Sequence, residues 1–279
     1  MKKLALIAAS AFLCSSVMLV SACSPSEETG GLPDSGVTDT TPPIPEIPEI
    51  PEFPEEELPE EELPEDAMKA QYIYVNYNGL NVRSGAGTTY TSLGTVESDI
   101  LLKYVGKTGN WYETVFKDRT AYISASEVYT SVTTLDKGQE DVENVIEQGL
   151  RMMGVPYVYG AVRLHDGKGN FIKGFTIKQF DCSSLMQYIF YEGAGILLNV
   201  TSRTQSVQGK EVARTEIRRG DLLFFTNASR YNNSGVDRIG HVALYLGNNY
   251  ILHTASDYAK VEQISAKRWS YFVSARRMF

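Results

Sequence analysis

The sequence predicts an α+β fold in which a small all-β barrel precedes a domain of helices followed by strands. From residue 70 to about residue 130, short runs rich in Tyr, Val and Ile alternate with glycine-containing turns, which is typical of a small barrel. From residue 139 onward, two helical patterns come first and several apolar runs of strand length follow. The composition before residue 67 differs from both, so the folded part is expected to begin there.

Residues 1–22 have the layout of a secretory signal. Lys2 and Lys3 precede an almost wholly apolar run from Leu4 to Val20. Cys23 follows small residues, as in the lipobox of bacterial lipoproteins, where this cysteine becomes the lipidated first residue. The alternative is an uncleaved membrane anchor, for which the apolar run is barely long enough. Both interpretations place the remaining chain outside the cytoplasm, and lipidation at Cys23 is favoured because the cysteine lies where that processing requires it.

Residues 23–66 are predicted to form an extended, disordered stalk. From Ser24 to Asp66 the chain has fifteen Asp or Glu, no Lys or Arg, and ten of its eleven prolines. Such a segment cannot bury enough apolar surface to fold, and prolines spaced three apart match the turn of polyproline II. The alternative, a proline motif bound by a partner domain, lacks the arginine or aromatic residues that would support it.

The net charge differs between the stalk and the folded part. The whole chain carries −8, whereas residues 67–279 have 24 Lys plus Arg and 19 Asp plus Glu, a surplus of five positive charges. A mildly basic module suits an anionic polymer such as cell-wall glycopeptide. Because the positive residues are scattered and no groove-binding motif is present, nucleic acid is not an expected partner. The protein is expected to act as a monomer.

The barrel segment, residues 67–131, resembles bacterial SH3-like domains through the run NVRSGAGTTYTSLGTV. In that family the module often binds cell wall or shapes the substrate cleft of an attached enzyme. A spacer barrel without a ligand fits these residues equally well, because they specify the fold more than a site.

Two helices are predicted in the second domain, residues 139–279. The first spans Asp141–Met153 and places its apolar residues along one face. The second spans Phe180–Tyr191, with Asp181 at the N-cap, so that Cys182 lies in the first turn. The segment Val162–Gln179 between them is predicted to be a surface loop with His165 exposed to solvent. Strands are predicted in the apolar runs that follow the helices: Asp221–Phe225, His241–Gly247, Tyr250–Thr254 and the C-terminal FVSARRMF.

Cys182 is the predicted nucleophile of a cysteine hydrolase. It is the only cysteine after Cys23, so no disulfide can form within the folded part. With His241 and His253 it provides a thiolate, a base and a group that orients the base. The helix N-terminus and a neighbouring imidazolium are expected to lower the pKa of the thiol. Zinc is the rival interpretation for these three residues, but no closely spaced ligand pair or acidic fourth ligand supports it. No metal or cofactor is therefore expected.

The two histidines flank a predicted hairpin. With a three-residue loop at Gly247–Asn249, Leu246 pairs with Tyr250 and His253 opposes Ala243, so that His241 lies two residues along on the same face. A two-residue loop would shift the register by one and point the two rings to opposite faces. The catalytic interpretation therefore requires an odd number of loop residues.

These residues resemble the NlpC family of papain-like cell-wall cysteine peptidases. The resemblance covers nearly all of residues 141–279, through PYVYG, FDCSSLMQY, TSRTQSVQGKEV, RRGDLLFF, HVALYLGNN, ILHTAS and the terminal ARR. It implies a catalytic set of Cys182, His241 and His253, and it associates Tyr157 with the nucleophile and the oxyanion. Relatives that cut after a free-ended L-Ala-γ-D-Glu hold the substrate amine with the residues that flank the cysteine, which here are Asp181 and Ser183.

The resemblance implies a peptidoglycan endopeptidase that cuts stem peptides at the bond between γ-D-glutamate and a diamino acid, without a cofactor. An amidase or acyltransferase using the same triad, and a catalytically idle wall-binding lipoprotein, are the alternatives. The sequence departs from the family pattern at Tyr159-Gly160-Ala161, at Cys182-Ser183-Ser184 and at Asn199-Val200. The Val162–Gln179 insertion borders the expected cleft, so it bears on substrate selectivity.

Overall fold

The structure is a computed structural model that describes residues 68–279. The predicted signal segment, Cys23 and the predicted stalk lie outside the described residues. Within residues 68–279, no helix has both the length and the apolar character needed to cross a membrane.

Strands dominate the described part of the chain, with the longer helices placed between two groups of strands. The helices are α1 (Glu140–Arg151), α2 (Cys182–Ala194), α3 (Ser202–Gln205) and α4 (Ala266–Ser270). The first group of strands is β1 (Lys69–Val75), β2 (Leu80–Arg83), β3 (Ser92–Val96), β4 (Ile100–Lys103), β5 (Gly106–Thr108), β6 (Trp111–Phe116), β7 (Arg119–Ser124) and β8 (Thr130–Asp136). The second group is β9 (Lys210–Val212), β10 (Leu222–Phe225), β11 (His241–Gly247), β12 (Tyr250–Thr254), β13 (Ala259–Gln263) and β14 (Phe272–Arg277). This arrangement confirms the predicted α+β fold.

The barrel segment and the second domain share one sheet. Nine strands pair in the order β8-β1-β4-β13-β12-β11-β10-β14-β9, and the other five form a sheet in the order β3-β2-β7-β6-β5. The junction is the antiparallel pair β4 and β13, in which Leu101 lies opposite Val261 and Ile100 lies opposite Glu262. The barrel segment therefore extends the central sheet of the second domain. Strand β13, which makes this junction, was not predicted from the sequence.

Helices α1 and α2 pack against each other and against the central sheet. A Cβ atom at Gly149 of α1 would lie 2.4 Å from Leu252 Cδ1 of β12, and one at Gly193 of α2 would lie 2.6 Å from Val145 Cα. At Gly193 the two helix backbones thus approach too closely for a side chain, whereas at Gly149 the Leu252 side chain fills the space. The observed helices agree with the predicted ranges to within three residues at each end.

The predicted exposure of His165 is wrong. Its side chain is completely buried, beside α2. Its Nδ1 accepts the N–H of Gly167 at 3.0 Å, and Gln187 of α2 donates to its carbonyl oxygen at 3.2 Å. The ring also lies 5.8 Å from that of Tyr191. The segment that holds His165 is irregular, as predicted, but it folds back onto α2 and encloses the ring.

A buried ion pair joins α1 to both halves of the central sheet. Arg219 Nε lies 2.6 Å from Glu143 Oε1, and Nη2 lies 2.8 Å from Oε2. The same guanidinium donates to Tyr72 Oη of β1 at 2.9 Å and to the Leu246 carbonyl of β11 at 2.6 Å. Only 7 % of the Arg219 side chain is exposed, so its positive charge is shielded from water and is stabilised by the Glu143 carboxylate.

Replacing Glu143 by glutamine is expected to lower the free energy of unfolding by about 3 kcal/mol, because the guanidinium would stay buried without a counter-charge. Urea unfolding followed by circular dichroism measures the change. The matched control is Glu147→Gln, which removes a more exposed partner of Lys103 and should lower the free energy by no more than about 1 kcal/mol. If the two substitutions lowered the free energy of unfolding equally, Glu143 would not be the counter-charge on which the buried Arg219 depends.

Candidate active site

Cys182 is the first residue of α2, as predicted. Asp181 is the N-cap, and its Oδ1 accepts the N–H of Ser184 at 2.8 Å, while Ser184 Oγ accepts the N–H of Asp181 at 2.8 Å. This reciprocal capping fixes the start of the helix. The N–H of Cys182 itself has no hydrogen-bond partner among residues 68–279. The residue as a whole is partly exposed, and it lines two cavities through which a substrate can approach.

The two histidines lie on one face of the β11–β12 hairpin, but the predicted loop is wrong. The structure pairs Gly247, rather than Leu246, with Tyr250, which leaves a two-residue turn of Asn248 and Asn249. Both asparagines have positive φ, as hairpin turns of this length require. The predicted need for an odd loop is wrong too, because a one-residue irregularity between Tyr245 and Gly247 restores the register in which His253 lies opposite Ala243. The two imidazole rings therefore lie on the same face of the hairpin, as the catalytic interpretation requires.

The imidazoles form a hydrogen-bonded relay that ends on a carboxylate. His241 Nε2 lies 3.0 Å from His253 Nδ1, and His253 Nε2 lies 3.0 Å from Glu262 Oε1. Glu262 is on β13, and Arg268 and Lys260 lie 3.0 and 3.6 Å from its carboxylate oxygens. Burial alone would raise the pKa of Glu262, but the hydrogen bond from His253 and these two cations lower it to about 2. The carboxylate is therefore ionised.

The ionised carboxylate fixes the proton positions of both rings. Burial lowers the pKa of His253, and it lowers that of His241 well below its usual value, so both rings are neutral near pH 7. Because Glu262 only accepts, His253 carries its proton on Nε2 and accepts on Nδ1. His241 then carries its proton on Nε2, which leaves Nδ1 with a free lone pair. Nδ1 has no hydrogen-bond partner among residues 68–279, so His241 is prepared to act as a base.

The expected low pKa of Cys182 is wrong for this conformation. Burial, followed by the charge of Asp181, raises the pKa of the thiol to about 11, and these effects outweigh the N–H groups of Val242 and Ser183 that face the sulfur. With His241 neutral, no imidazolium is present to offset burial. Cys182 and His241 are therefore both neutral, so the thiol proton must pass to His241 while the sulfur attacks a substrate.

Cys182 lies between two cavities. One, of about 330 Å³, extends past Asp181, Ser183 and α3 toward the loop that follows β10. The other, of about 430 Å³, is lined by His241 and by residues around α4. Tyr157 lines both beside Cys182, and burial, with the neighbouring Cys182 and Asp181, raises the pKa of its hydroxyl, which stays protonated and able to donate. No residue of β1–β8 lines either cavity.

Arg163, which the sequence did not single out, lies against both residues that flank Cys182. Its Nη1 lies 2.8 Å from Asp181 Oδ2, and its Nη2 donates to Ser183 Oγ at 3.1 Å. Its Nε donates to the Val200 carbonyl at 3.0 Å, and Nη1 also donates to the carbonyl of Ala161. The side chain is 15 % exposed, at the edge of the smaller cavity.

The residues brought together are thus Cys182, His241, His253 and Tyr157, with Asp181 and Ser183 adjacent to the nucleophile. Glu262 and Arg163 were missed. The alternating pattern of Ala259–Gln263 is typical of a strand, and a strand there would have placed Glu262 near the strand that contains His253. Arg163 lies in an irregular segment, whose sequence has no comparable pattern. Within residues 68–279, no group of three or more His, Cys, Asp or Glu side chains is arranged to hold a metal ion.

Replacing Glu262 by glutamine is expected to lower kcat on the substrate about 10- to 100-fold with little change in KM. The amide can donate to His253 Nε2, which would reverse both tautomers and place the proton of His241 on Nδ1, the atom that must accept. Losing the negative charge also lowers the pKa of His241 further, so the acid limb of the kcat/KM profile, already well below pH 6.5, should move to lower pH. Initial rates between pH 4 and 9 measure both effects.

The matched control is Glu211→Gln, which removes an exposed partner of Arg276 at the sheet edge and should leave both kinetic parameters unchanged. A fall in kcat without a displaced acid limb would indicate that Glu262 has only a structural role.

Two segments of the chain match known families. Residues 154–278 match the NlpC/P60 family, and residues 78–129 match the bacterial SH3 domain family. Together with the mixed helix and sheet content, these matches confirm the predicted fold class and the resemblance on which it depended.

Several curated proteins are similar to this chain. The peptidoglycan endopeptidase RipA of Mycolicibacterium smegmatis is 34 % identical over 140 residues, which are 49 % of this chain and 26 % of that protein. The gamma-D-glutamyl-L-lysine dipeptidyl-peptidase of Bacillus subtilis is 26 % identical over 70 % of this chain and 60 % of its own length. Among solved structures, the peptidoglycan hydrolase RipB of Mycobacterium tuberculosis is 30 % identical over 50 % of this chain and 65 % of that one, with a TM-score of 0.39. The chain spans between about a quarter and about half of the length of the first curated relatives it matches.

Proposed function

Because this chain carries an NlpC/P60-family domain behind a bacterial SH3 domain, we propose that it is a peptidoglycan endopeptidase that hydrolyses stem-peptide amide bonds with Cys182 as nucleophile. The observation that carries the proposal is the relay from His241 through His253 to Glu262, which leaves a free lone pair on a histidine that lines the same cavity as Cys182. Several relatives are named as peptidoglycan endopeptidases, which supports peptidoglycan as the substrate class.

The first step is attack of the Cys182 sulfur on the amide carbonyl. His241 Nδ1 takes the thiol proton as the carbon–sulfur bond forms, because a thiol with a pKa of about 11 is not ionised at neutral pH. His253 accepts the hydrogen bond of His241 and, with Glu262 behind it, stabilises the imidazolium that develops. The N–H of Cys182 and the hydroxyl of Tyr157 are the donors for the oxyanion.

The second step releases the products. The imidazolium of His241 gives its proton to the leaving nitrogen as the carbon–nitrogen bond breaks, which leaves a thioester on Cys182. His241 then takes a proton from water as the water oxygen attacks the thioester carbon, the carbon–sulfur bond breaks to release the carboxylic acid, and His241 returns the proton to the sulfur of Cys182. No cofactor or metal takes part in these steps.

The proposed bond is the one between γ-D-glutamate and a diamino acid. The relative from Bacillus subtilis, named as a gamma-D-glutamyl-L-lysine dipeptidyl-peptidase, supports this choice. The proposal is tested by incubating the purified chain with isolated peptidoglycan and with synthetic stem peptides, and by identifying the products by mass spectrometry. A free diamino-acid N-terminus is the expected new end. Release of the stem from the glycan, or transfer to an added amine, would instead indicate an amidase or an acyltransferase.

We also propose that the enzyme acts outside the cytoplasm, anchored through a lipid on Cys23. The export-like residues 1–22 and the cysteine after them support this, and a cell-wall substrate requires the same compartment. Cell fractionation tests it, since Cys23→Ala should move the protein out of the membrane fraction. An unchanged distribution would contradict anchoring at this residue.

A further inference from the structure

Asp181 has no acceptor position left for a substrate amine, and Ser183 keeps only one lone pair on Oγ. Asp181 Oδ1 accepts from the Ser184 N–H at 2.8 Å and from Ser183 Oγ at 3.1 Å, and Oδ2 accepts from the Gly160 N–H at 3.2 Å and pairs with Arg163 at 2.8 Å. Ser183 Oγ in turn accepts from Arg163 at 3.1 Å. The guanidinium therefore takes the place where a bound ammonium group would lie between these two side chains.

The cavity that contains Arg163 faces the acyl side of the scissile bond. A general acid must face the nitrogen that it protonates, so the leaving group lies in the cavity lined by His241. The smaller cavity, on the Asp181 side of Cys182, then receives the part of the substrate that becomes the thioester.

The charge of this cavity is positive. Three arginines line it, Arg163, Arg203 of α3 and Arg230 of the loop after β10, and Asp181 is the only carboxylate among its lining residues. Arg230 donates to the Asp237 carbonyl at 3.0 Å, and neither Arg203 nor Arg230 has a carboxylate partner within residues 68–279. Of the five N–H donors of Arg163, four are used, which leaves one on Nη2. Such a cavity attracts a carboxylate and repels an ammonium group.

We infer that this cavity selects acyl groups that carry a carboxylate and have no free amine, with Arg163 excluding the amine and Arg203 and Arg230 binding the carboxylate. The inference deepens the proposed function and rests on it. A γ-linked glutamyl residue keeps its α-carboxylate free, and an alanine that is still joined to the glycan has an acylated nitrogen without charge. The enzyme would thus cut stems that are still attached to glycan strands and leave free peptides.

The test compares two synthetic peptides, alanyl-γ-D-glutamyl-diamino acid with a free N-terminal amine and the same peptide N-acetylated. The parent enzyme is expected to cleave the acetylated peptide with a kcat/KM at least about tenfold higher. Arg163→Ala should raise cleavage of the free-amine peptide until the two values differ by less than about threefold. Arg163→Lys keeps the positive charge and should keep the preference.

A third peptide addresses the carboxylate. Amidation of the glutamyl α-carboxyl in the acetylated peptide should raise KM at least about fivefold for the parent and have little effect on Arg203→Gln. The matched control is Arg119→Ala, an exposed arginine of β7 away from both cavities, which should leave all three ratios unchanged. Far-ultraviolet circular dichroism verifies that each variant is folded.

Cleavage of both peptides at equal rates by the parent, or an unchanged ratio in folded Arg163→Ala, would overturn the inference and leave the proposed function standing. If Arg163→Ala does not fold, the parent ratio and the Arg163→Lys ratio still decide the outcome. Cleavage of neither peptide, nor of glycan-linked stems, would instead contradict the proposed function itself.

Discussion

Replacing Cys182 by alanine is expected to lower kcat/KM on stem peptides by at least about 10³-fold. The described part of the chain contains no other thiol, so nothing can replace the sulfur that forms the thioester. The change removes a single atom, and the capping of α2 by Asp181 and Ser184 does not involve it. Stability should therefore change by less than about 1 kcal/mol. Product formation by mass spectrometry measures the rate, and thermal unfolding measures stability.

Cys182→Ser should be as inactive as the alanine variant, because a hydroxyl is far harder to deprotonate than a thiol. The matched control is Ser270→Ala, a change of similar size at an exposed position in α4. A serine or alanine variant that cleaves as fast as the parent would show that Cys182 is not the nucleophile.

Replacing His241 by alanine is expected to lower kcat/KM about 10³-fold at pH 7, and the loss should shrink as pH rises. With a thiol pKa of about 11, only about one molecule in 10⁴ carries a thiolate at pH 7, so the base supplies most of the rate. The rate of the variant should then rise about tenfold per pH unit between pH 7 and 10.

The parent should be nearly independent of pH over the same range, because its base is already neutral there. The control is His165→Asn, which keeps an acceptor for the Gly167 N–H and should stay within about threefold of the parent. A rate for His241→Ala that does not rise with pH would mean that thiol ionisation does not limit the reaction.

Local patterns sufficed to predict the elements that hold the nucleophile. The position of Asp181 before an apolar helical run predicted both the cap and the place of Cys182 in the first turn, because capping depends on neighbouring residues alone. The histidine register was predicted for a similar reason, since two strands joined by a short loop leave few ways to pair. The loop itself was predicted incorrectly because a bulge and a longer loop give the same register.

Contacts between distant parts of the chain could not be predicted in this way. Glu262 reaches His253 only because β13 pairs with β12, and the thiol pKa depends on burial, which a single sequence does not reveal. Arg163 comes from an irregular segment whose path is determined by the surface it covers. His165 illustrates the same limit, because its burial beside α2 follows from tertiary packing rather than from its polar neighbours.

The pairing of β4 with β13 means that the SH3-like portion contacts the strand that carries Glu262. Glu262 lies on β13 opposite Ile100, so a strand from outside residues 139–279 supports the end of the hydrogen-bonded relay. Excision before residue 139 would leave β13 as an unpaired edge, and we expect lower turnover and self-association on gel filtration. The SH3-like portion therefore cannot be exchanged for an arbitrary domain, because a replacement would need a strand that pairs with β13 in the same register.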